Sequence, residues 1–256
     1  MTNDFETGII KAAKLIKTSN YIVALTGAGI STPSGIPDFR SSHTGLWEKN
    51  DPLNVASLSA FLYRPTVFFN WLRPLVKEIY SANYNAAHAS LTHLENNNKL
   101  VAIVTQNIDD LHQKSGSKNV IQVHGSVSKL ECVKCKIFYE LDELLLNNFI
   151  EKFEIPTCNN CQSFLKPSIT LFEEMLPNEA WTSATSHFEK ADLVIVIGSS
   201  LEVYPANQLP SIAISHGAKL IINTFSSTPL DRKADILLPY DVIQVWPKIL
   251  EILESS

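Results

Sequence analysis

Short runs that are apolar at every position alternate along the chain with longer segments whose apolar residues recur every three or four positions. The runs are Tyr21 to Leu25, Leu100 to Val104, Val120 to Val123, Leu193 to Ile197, Leu220 to Ile222 and Ile236 to Leu238. Successive side chains of a strand point to opposite faces, so a run that is apolar throughout is covered on both, as in the centre of a parallel sheet flanked by helices. Ile9, Ile10, Ala13, Ile16 and Lys17 read as the buried stripe and solvent edge of a first helix. Ala86 to Leu94 predicts a helix ahead of the second strand, and Val242 to Leu253 a closing one with Pro247 near its first turn. This alternation predicts an α/β architecture, a doubly wound parallel sheet. Two segments interrupt it: an aromatic-rich, helical stretch within 46–80, and a cysteine-bearing module at 127–165. The expected large domain is therefore discontinuous, 1–45, 81–126 and 166–256, with a cleft between it and a small domain built from the two insertions.

Composition narrows the field. The 256 residues are 45% hydrophobic, enough for one large core and a small inserted unit. No apolar stretch approaches the roughly 18 residues of a membrane span; the longest, Leu193 to Ile197, stops at Gly198. A net charge of −5 lacks the basic footprint of a nucleic-acid binder, and the cysteine module itself carries four lysines against six acids. Its cysteines fall as Cys132-x-x-Cys135 and Cys158-x-x-Cys161, 22 residues apart, the spacing of two knuckles that close on one zinc ion. Four protein thiolates leave no open position for a catalytic water, so the metal is expected to be structural. The competing reading is two disulfides in a secreted protein. Met1 to Thr7 is polar and acidic, unlike a secretory leader, which favours zinc and a reducing compartment.

Chemistry concentrates after the first strand, in Thr26-Gly27-Ala28-Gly29-Ile30-Ser31-Thr32-Pro33-Ser34-Gly35-Ile36-Pro37-Asp38-Phe39-Arg40. Glycines at 27 and 29 permit a close backbone approach to a ligand, and a helix start beyond them offers N–H groups to a pyrophosphate. A dinucleotide fits, but Thr32 stands where the dehydrogenase fingerprint has its third glycine. A polar stretch containing an acid, an aromatic and an arginine is poorly explained by packing. It resembles the G-A-G-I-S-x-x-S-G-I-P-D-F-R signature of the sirtuins, NAD-dependent protein lysine deacylases. Four more motifs agree in order: Thr105-Gln106-Asn107-Ile108-Asp109-Asp110-Leu111-His112, His124-Gly125, the paired Cys-x-x-Cys, and Gly198-Ser199-Ser200. The similarity spans nearly the whole chain.

The resemblance implies a Rossmann-like NAD domain, a zinc ribbon, a helical insertion, and NAD as a consumed co-substrate. Gly27, Ala28, Gly29, Thr32, Asp38, Phe39 and Arg40 would line the cofactor site, Phe39 over the reacting carbon and Arg40 near the phosphates. Asn107 and Asp109 would hold the nicotinamide amide, with Ile108 as an apolar wall, and Gln106 the ribose hydroxyls. Asp109 also reads as a helix cap. Gly198, Ser199 and Ser200 would bond phosphates or ribose, Asn223 the adenine ribose, and Val242 would pack near adenine. His124 is the expected general base, since an imidazole near its ordinary pKa of about 6.5 takes a proton at neutral pH. The other histidines are expected to be structural, His43 among them. In the family scheme the acyl-lysine oxygen attacks the ribose and the base activates a ribose hydroxyl, giving free lysine, nicotinamide and O-acyl-ADP-ribose.

A substrate peptide would pair in extended form with Ile169 to Glu173 and Leu201 to Tyr204, through Thr170, Phe172, Glu173 and Val203. Such backbone pairing tolerates many sequences. The chain departs from the commoner family pattern V-x-F-G-E, with Thr170 for the valine and Glu173 for the glycine. Acidic residues there would favour basic peptides. Relatives that remove succinyl or malonyl groups carry a tyrosine and an arginine where Phe69 and Leu72 align, with Arg73 adjacent. An apolar pocket cannot satisfy a carboxylate, so neutral acyl groups are expected. A mono-ADP-ribosyltransferase and a non-catalytic zinc-ribbon binding protein are the rival readings, with a dehydrogenase third. The expected partners are acyl-lysine proteins or peptides, with neither nucleic acid nor membrane, and the expected protein is a cytoplasmic monomer.

Overall fold

The computed structural model describes residues 2–39 and 45–255. Helix α1 (Thr2–Thr18) leads into β1 (Ile22–Thr26), after which two turns of 3-10 helix carry the glycine-rich loop. The first insertion forms α2 (Leu46–Lys49), α3 (Pro52–Val55), α4 (Leu58–Tyr63) and α5 (Pro65–Ser81). Helix α6 (Ala86–Asn96) precedes β2 (Leu100–Thr105), and the short α7 (Leu111–Lys114) precedes β3 (Val120–Gln122). The cysteine module comprises β4 (Gly125–Cys132), β5 (Phe138–Glu140), α8 (Glu143–Glu151) and β6 (Leu165–Ile169). Helix α9 (Asn178–Lys190), β7 (Leu193–Ile197), α10 (Leu209–Ser215), β8 (Lys219–Asn223), β9 (Ile236–Leu237) and α11 (Val242–Glu254) complete the chain.

Six parallel strands form the main sheet in the order β3-β2-β1-β7-β8-β9. The unbroken apolar runs have the cause expected of them. Ile22 and Ala24 of β1, with Leu193, Ile195 and Ile197 of β7, face α1, α6 and α11 and pack around Ile9, Leu91 and Trp246. Val23, Leu25, Val194 and Val196 face the other way, onto Phe188 of α9 and Leu209 of α10. Each strand thus feeds two cores. Chain order reverses between β1 and β7, a topological switch point, and ligands bind at the carboxyl ends of strands there.

Two local expectations are corrected. Ile10 is 55% exposed, because a 100° step round α1 carries it off the stripe of Ile9, Ala13 and Ile16. Pro247 sits in the second turn of α11, which starts at Val242 as expected behind an Asp241 cap that accepts Ile243 N–H at 3.2 Å.

The two insertions share one hydrophobic core. Phe61, Phe68, Phe69 and Leu72 from the helical insertion pack with Leu130, Cys132, Phe149, Cys158 and Leu165 from the cysteine module. Arg73 joins them: its guanidinium donates to the Phe149 carbonyl at 2.6 Å and the Phe153 carbonyl at 3.2 Å, and lies 4.7 Å from the ring centroid of each. The second, three-stranded sheet, β5-β4-β6, reaches beyond 127–165 at both ends, because Gly125 pairs with Ile169. At Gly125 φ is +76° and an added Cβ would lie 1.9 Å from the Ser168 carbonyl oxygen, so only glycine allows β6 so close.

Candidate active site

The glycine-rich loop and the end of β7 are in backbone contact. Gly27 N–H donates to the Ile197 carbonyl at 3.0 Å and Gly29 N–H to the Gly198 carbonyl at 2.9 Å. A Cβ on Gly29 would lie 2.7 Å from Gly198 Cα, and one on Gly198 (φ +62°) 2.3 Å from Ile30 N. The close approach inferred for these glycines is therefore first of all between two strand ends. Ala28 and Thr32 carry loop N–H groups not committed to those bonds, and both line the cavity beside them.

That cavity, of about 500 Å³, opens at the carboxyl ends of β1, β2, β7 and β8. It gathers most of the sequence-predicted cofactor residues: Gly27, Ala28, Gly29, Thr32, Asp38 and Phe39 from the first loop, Gln106 and Asn107 after β2, His124, and Gly198, Ser199 and Ser200 after β7, with Val242 opposite; Val203, expected on the peptide side, lines it too. Its volume is in the range of small-molecule sites, about 300–1,000 Å³. Glycine backbone, hydroxyl groups and the Phe39 ring are suited to phosphates, ribose and a flat heterocycle. Arg40 and His43 lie outside the described residues.

Sequence reading passed over six lining residues: Glu202, Thr224, Phe225, Ser226, Tyr240 and Asp241. Thr224 and Ser226 follow β8 as Ser199 and Ser200 follow β7, so the hydroxyl signal was present twice. Asn223 is absent from the lining. It is fully buried, donating to the Leu238 carbonyl at 2.7 Å and the Tyr240 carbonyl at 2.8 Å and accepting from Trp246 Nε1 at 3.0 Å. Its side chain fixes the wall that Tyr240 and Val242 form.

Below the cavity floor runs a buried polar chain. Asn107 Nδ2 donates to the Gly27 carbonyl and to Ser31 Oγ, both at 3.1 Å, and Ser31 Oγ donates to Asp109 Oδ2 at 2.7 Å. Asp109 Oδ1 also accepts Leu111 N–H at 3.0 Å, although Asp110, not Asp109, stands at the cap position of α7. Burial pushes its carboxyl above the ordinary aspartate value, against the pull of the Leu111 and Ser31 donors. Ile108 turns away from the cavity lining toward the core shared by the insertions.

His124 stands on the cavity wall between β3 and β4. Its Nδ1 lies 2.9 Å from the Gln106 carbonyl oxygen. A carbonyl only accepts, so Nδ1 carries the hydrogen and Nε2 is the basic nitrogen of the neutral ring. Gln106 is fixed in turn, its Nε2 donating to Ser199 Oγ at 3.0 Å. The His124 carbonyl accepts Thr170 N–H at 2.8 Å, which ties the predicted peptide segment to the histidine. Within that segment Phe172 N–H donates to the Ala56 carbonyl at 3.1 Å, and the Phe172 carbonyl accepts Leu58 N–H at 3.1 Å.

The four cysteines converge with all Sγ atoms within 4.8 Å of one another. Neighbouring pairs are 3.4 to 3.7 Å apart. Four sulfurs about 2.3 Å from one zinc ion sit about 3.8 Å apart, so the donor set fits a tetrahedral ion. Both knuckles close identically. Lys136 N–H returns to the Cys132 carbonyl and Gln162 N–H to the Cys158 carbonyl, each at 2.8 Å, with φ +59° at both residues.

The sequence pattern of the Sir2 family matches residues 27–205. The NAD-dependent protein deacetylase of Thermotoga maritima is 39% identical over 237 residues, covering 93% of this chain and 95% of that protein. NAD-dependent protein deacylase 2 of Archaeoglobus fulgidus is 41% identical over 250 residues, 96% of each. A solved Sir2 complex with a p53 peptide and NAD+ superposes with a TM-score of 0.87 at 37% identity, covering 96% of this chain and 98% of the other.

Proposed function

The chain belongs to the Sir2 family, and from that premise we propose that it is an NAD-dependent protein lysine deacylase whose general base is His124. NAD supplies the ribose that receives the acyl group, with nicotinamide as the leaving group; the products are free lysine, nicotinamide and O-acyl-ADP-ribose. The observation that carries the assignment is the orientation of His124. With Nδ1–H donated to the Gln106 carbonyl, the ring presents Nε2 as the atom that takes a proton from a ribose hydroxyl. Gln106, positioned by Ser199, holds the ribose. The Asn107–Ser31–Asp109 chain receives the nicotinamide amide, and Phe39 excludes water above it. Gly27, Ala28, Gly29, Thr32, Asp38, Arg40, Gly198, Ser199 and Ser200 hold the pyrophosphate and riboses, with Asn223 and Val242 shaping the adenine end.

The large domain is drawn at 1–45, 81–126 and 166–256 and the small one as the two insertions, whose common core supports grouping them, with β4 and β6 of the small sheet crossing these borders as far as Gly125 and Ile169. One zinc ion held by Cys132, Cys135, Cys158 and Cys161 is structural, because four thiolates leave it no open position. An acyl-lysine peptide lies in the cleft, paired with Thr170 to Glu173 on one side and Val203 on the other. The acyl group is neutral, since Phe69 and Leu72 are apolar and Arg73 is committed to two carbonyls and two rings. Four thiols arranged for a metal support a reducing, cytoplasmic setting, and we take the protein to act as a monomer. Among the described residues no helix is long and apolar enough to cross a membrane.

Nicotinamide release from NAD, with and without an acetyl-lysine peptide, tests the reading. Release should require the peptide and fall at least about a hundredfold in His124→Ala, the lower range for loss of a general base. Absence of release with any acylated peptide would refute it. Transfer of labelled ADP-ribose to protein that survives the substitution would point to the transferase instead.

A further inference from the structure

Glu173 occupies a backbone position that disfavours it. Glu174 N–H donates to the Leu171 carbonyl at 3.1 Å, closing a four-residue turn whose third residue, Glu173, has φ +76°. That is where a type II turn needs positive φ and where glycine is preferred. A non-glycine side chain persists in such a conformation when its surroundings over-determine it. Here they do. Glu173 Oε2 accepts the Ser59 N–H at 2.9 Å, at the second residue of α4, while Ser57 Oγ accepts Ala60 N–H at 3.0 Å in the same first turn. The two side chains together cap α4. Hydrogen bonds from Ser59 side chain and backbone hold the Glu173 carboxyl below the ordinary glutamate range, so the anchor is charged at neutral pH. The next residue pins the other side of the turn: Glu174 Oε2 meets Lys166 Nζ at 2.8 Å and accepts Leu171 N–H at 2.9 Å.

We propose that Glu173 is a positioning residue for the substrate peptide: its bond to Ser59 locks the 171–174 turn onto the helical insertion, presenting the Thr170 carbonyl and the Glu173 backbone in a fixed register. This rests on the deacylase reading and on peptide pairing along that segment. Two backbone bonds join the same surfaces, Phe172 N–H to Ala56 and Leu58 N–H to Phe172, so the carboxylate closes a three-point attachment. A segment already ordered loses less freedom when it pairs with an incoming strand, and the benefit appears in peptide affinity rather than in the chemical step.

Glu173→Gly removes both the anchor and the backbone strain, whereas Glu173→Gln keeps an acceptor for Ser59 and removes only the charge. For an acetyl-lysine peptide, KM, and Kd by calorimetry, should rise about fivefold in Glu173→Gly, with kcat and the KM for NAD within about twofold of wild type. Glu173→Gln, which keeps the acceptor but loses the charge, should raise the peptide KM and Kd less than Glu173→Gly does, and the Glu173→Gly ratio should survive a rise from about 50 to about 500 mM salt. Unchanged peptide affinity in Glu173→Gly would overturn the proposal. Equal losses in both variants that fade at high salt would also overturn it, leaving Glu173 as a rim charge that attracts basic peptides. Calorimetry reads the ratio without turnover: a wild type that binds peptide but releases no nicotinamide would refute the deacylase reading alone, and one that binds no peptide would refute both.

Discussion

His88 and His112 form a buried pair behind the glycine-rich loop, and keeping it neutral should cost the protein stability as pH falls from about 6.5 toward 4. His88 Nδ1 accepts the Asn85 N–H at 3.3 Å, its ring meets that of His112 edge-on at 4.9 Å, and His112 Nε2 lies 2.9 Å from Thr26 Oγ1. His88 Nε2 and His112 Nδ1 have no hydrogen-bond partner among the described residues. Burial pushes His88 down to about 4 and His112 well below its ordinary value, with His88 adding to the effect on His112. Because the folded pKa is depressed, the unfolded chain binds the proton first. The neutral pair's contribution is complete above the unfolded value of about 6.5 and is lost as pH falls toward 4. Two and a half units at about 1.36 kcal/mol each give roughly 3 kcal/mol from His88 by pH 4, and His112 acts with the same sign. His88→Gln removes that titration while retaining an acceptor at the third helical residue, as in a capping box. Urea unfolding followed by tryptophan fluorescence at pH 7 and pH 4 should show wild type losing about 3 kcal/mol more than His88→Gln, the carboxylates common to both cancelling. Parallel losses would refute the assignment of a buried, neutral His88.

Two further outcomes follow from the cleft. Succinyl-lysine peptide should turn over at least about tenfold more slowly than its acetyl counterpart in nicotinamide release, because Arg73 is engaged elsewhere and an unpaired carboxylate would be buried; a faster succinyl rate would show that another cation serves the pocket. Gly125→Ala should destabilise the fold by more than about 3 kcal/mol or prevent it, since the new Cβ meets the Ser168 carbonyl at 1.9 Å; a melting temperature near wild type would mean that β4 and β6 separate readily.

What the sequence made legible was whatever depends on local pattern. The central strands were readable because β1 and β7 are apolar on both faces, and the metal site because ligand spacing alone constrains it. The limits of the cysteine module were not, because Gly125 pairs with Ile169, residues 44 positions apart whose partnership rests on a missing Cβ. In the site, residues directly after strand ends were found. Tyr240 and Asp241 were missed because they reach the cavity through a loop held by Asn223, a long-range hydrogen bond without a sequence signature. The same residue shows the opposite limit: placing Asn223 at a strand end was correct, but which way its side chain turns depends on Leu238, Tyr240 and Trp246. Arg73 behaves likewise, since residue type and alignment say nothing of the carbonyls that capture it.

The zinc site and the chemistry lie at opposite ends of the same two strands. Cys132 ends β4, whose first residue follows His124, and Leu165 begins β6, whose last residue precedes Thr170. Four steps of about 3.3 Å along β6 put the two pairings roughly 13 Å apart, β4 taking up its extra residues in an irregularity between Gly125 and Leu130, and that is beyond the roughly 8–10 Å over which salt leaves a charge felt through solvent. It acts instead as a clasp. Cys132 pairs with Leu165 beside the knuckles and Gly125 pairs with Ile169 beside the histidine, the register shifting between Gly125 and Leu130, so the two ends are joined by the same strand pair. The His124 carbonyl then accepts Thr170 N–H, joining His124 to the strand end at Thr170 through one backbone bond. On the proposed reaction, a four-thiolate ion with no open position would still bear on catalysis, by setting how far the Thr170 segment stands from His124. The tightness required of Gly125 shows how little slack that distance has.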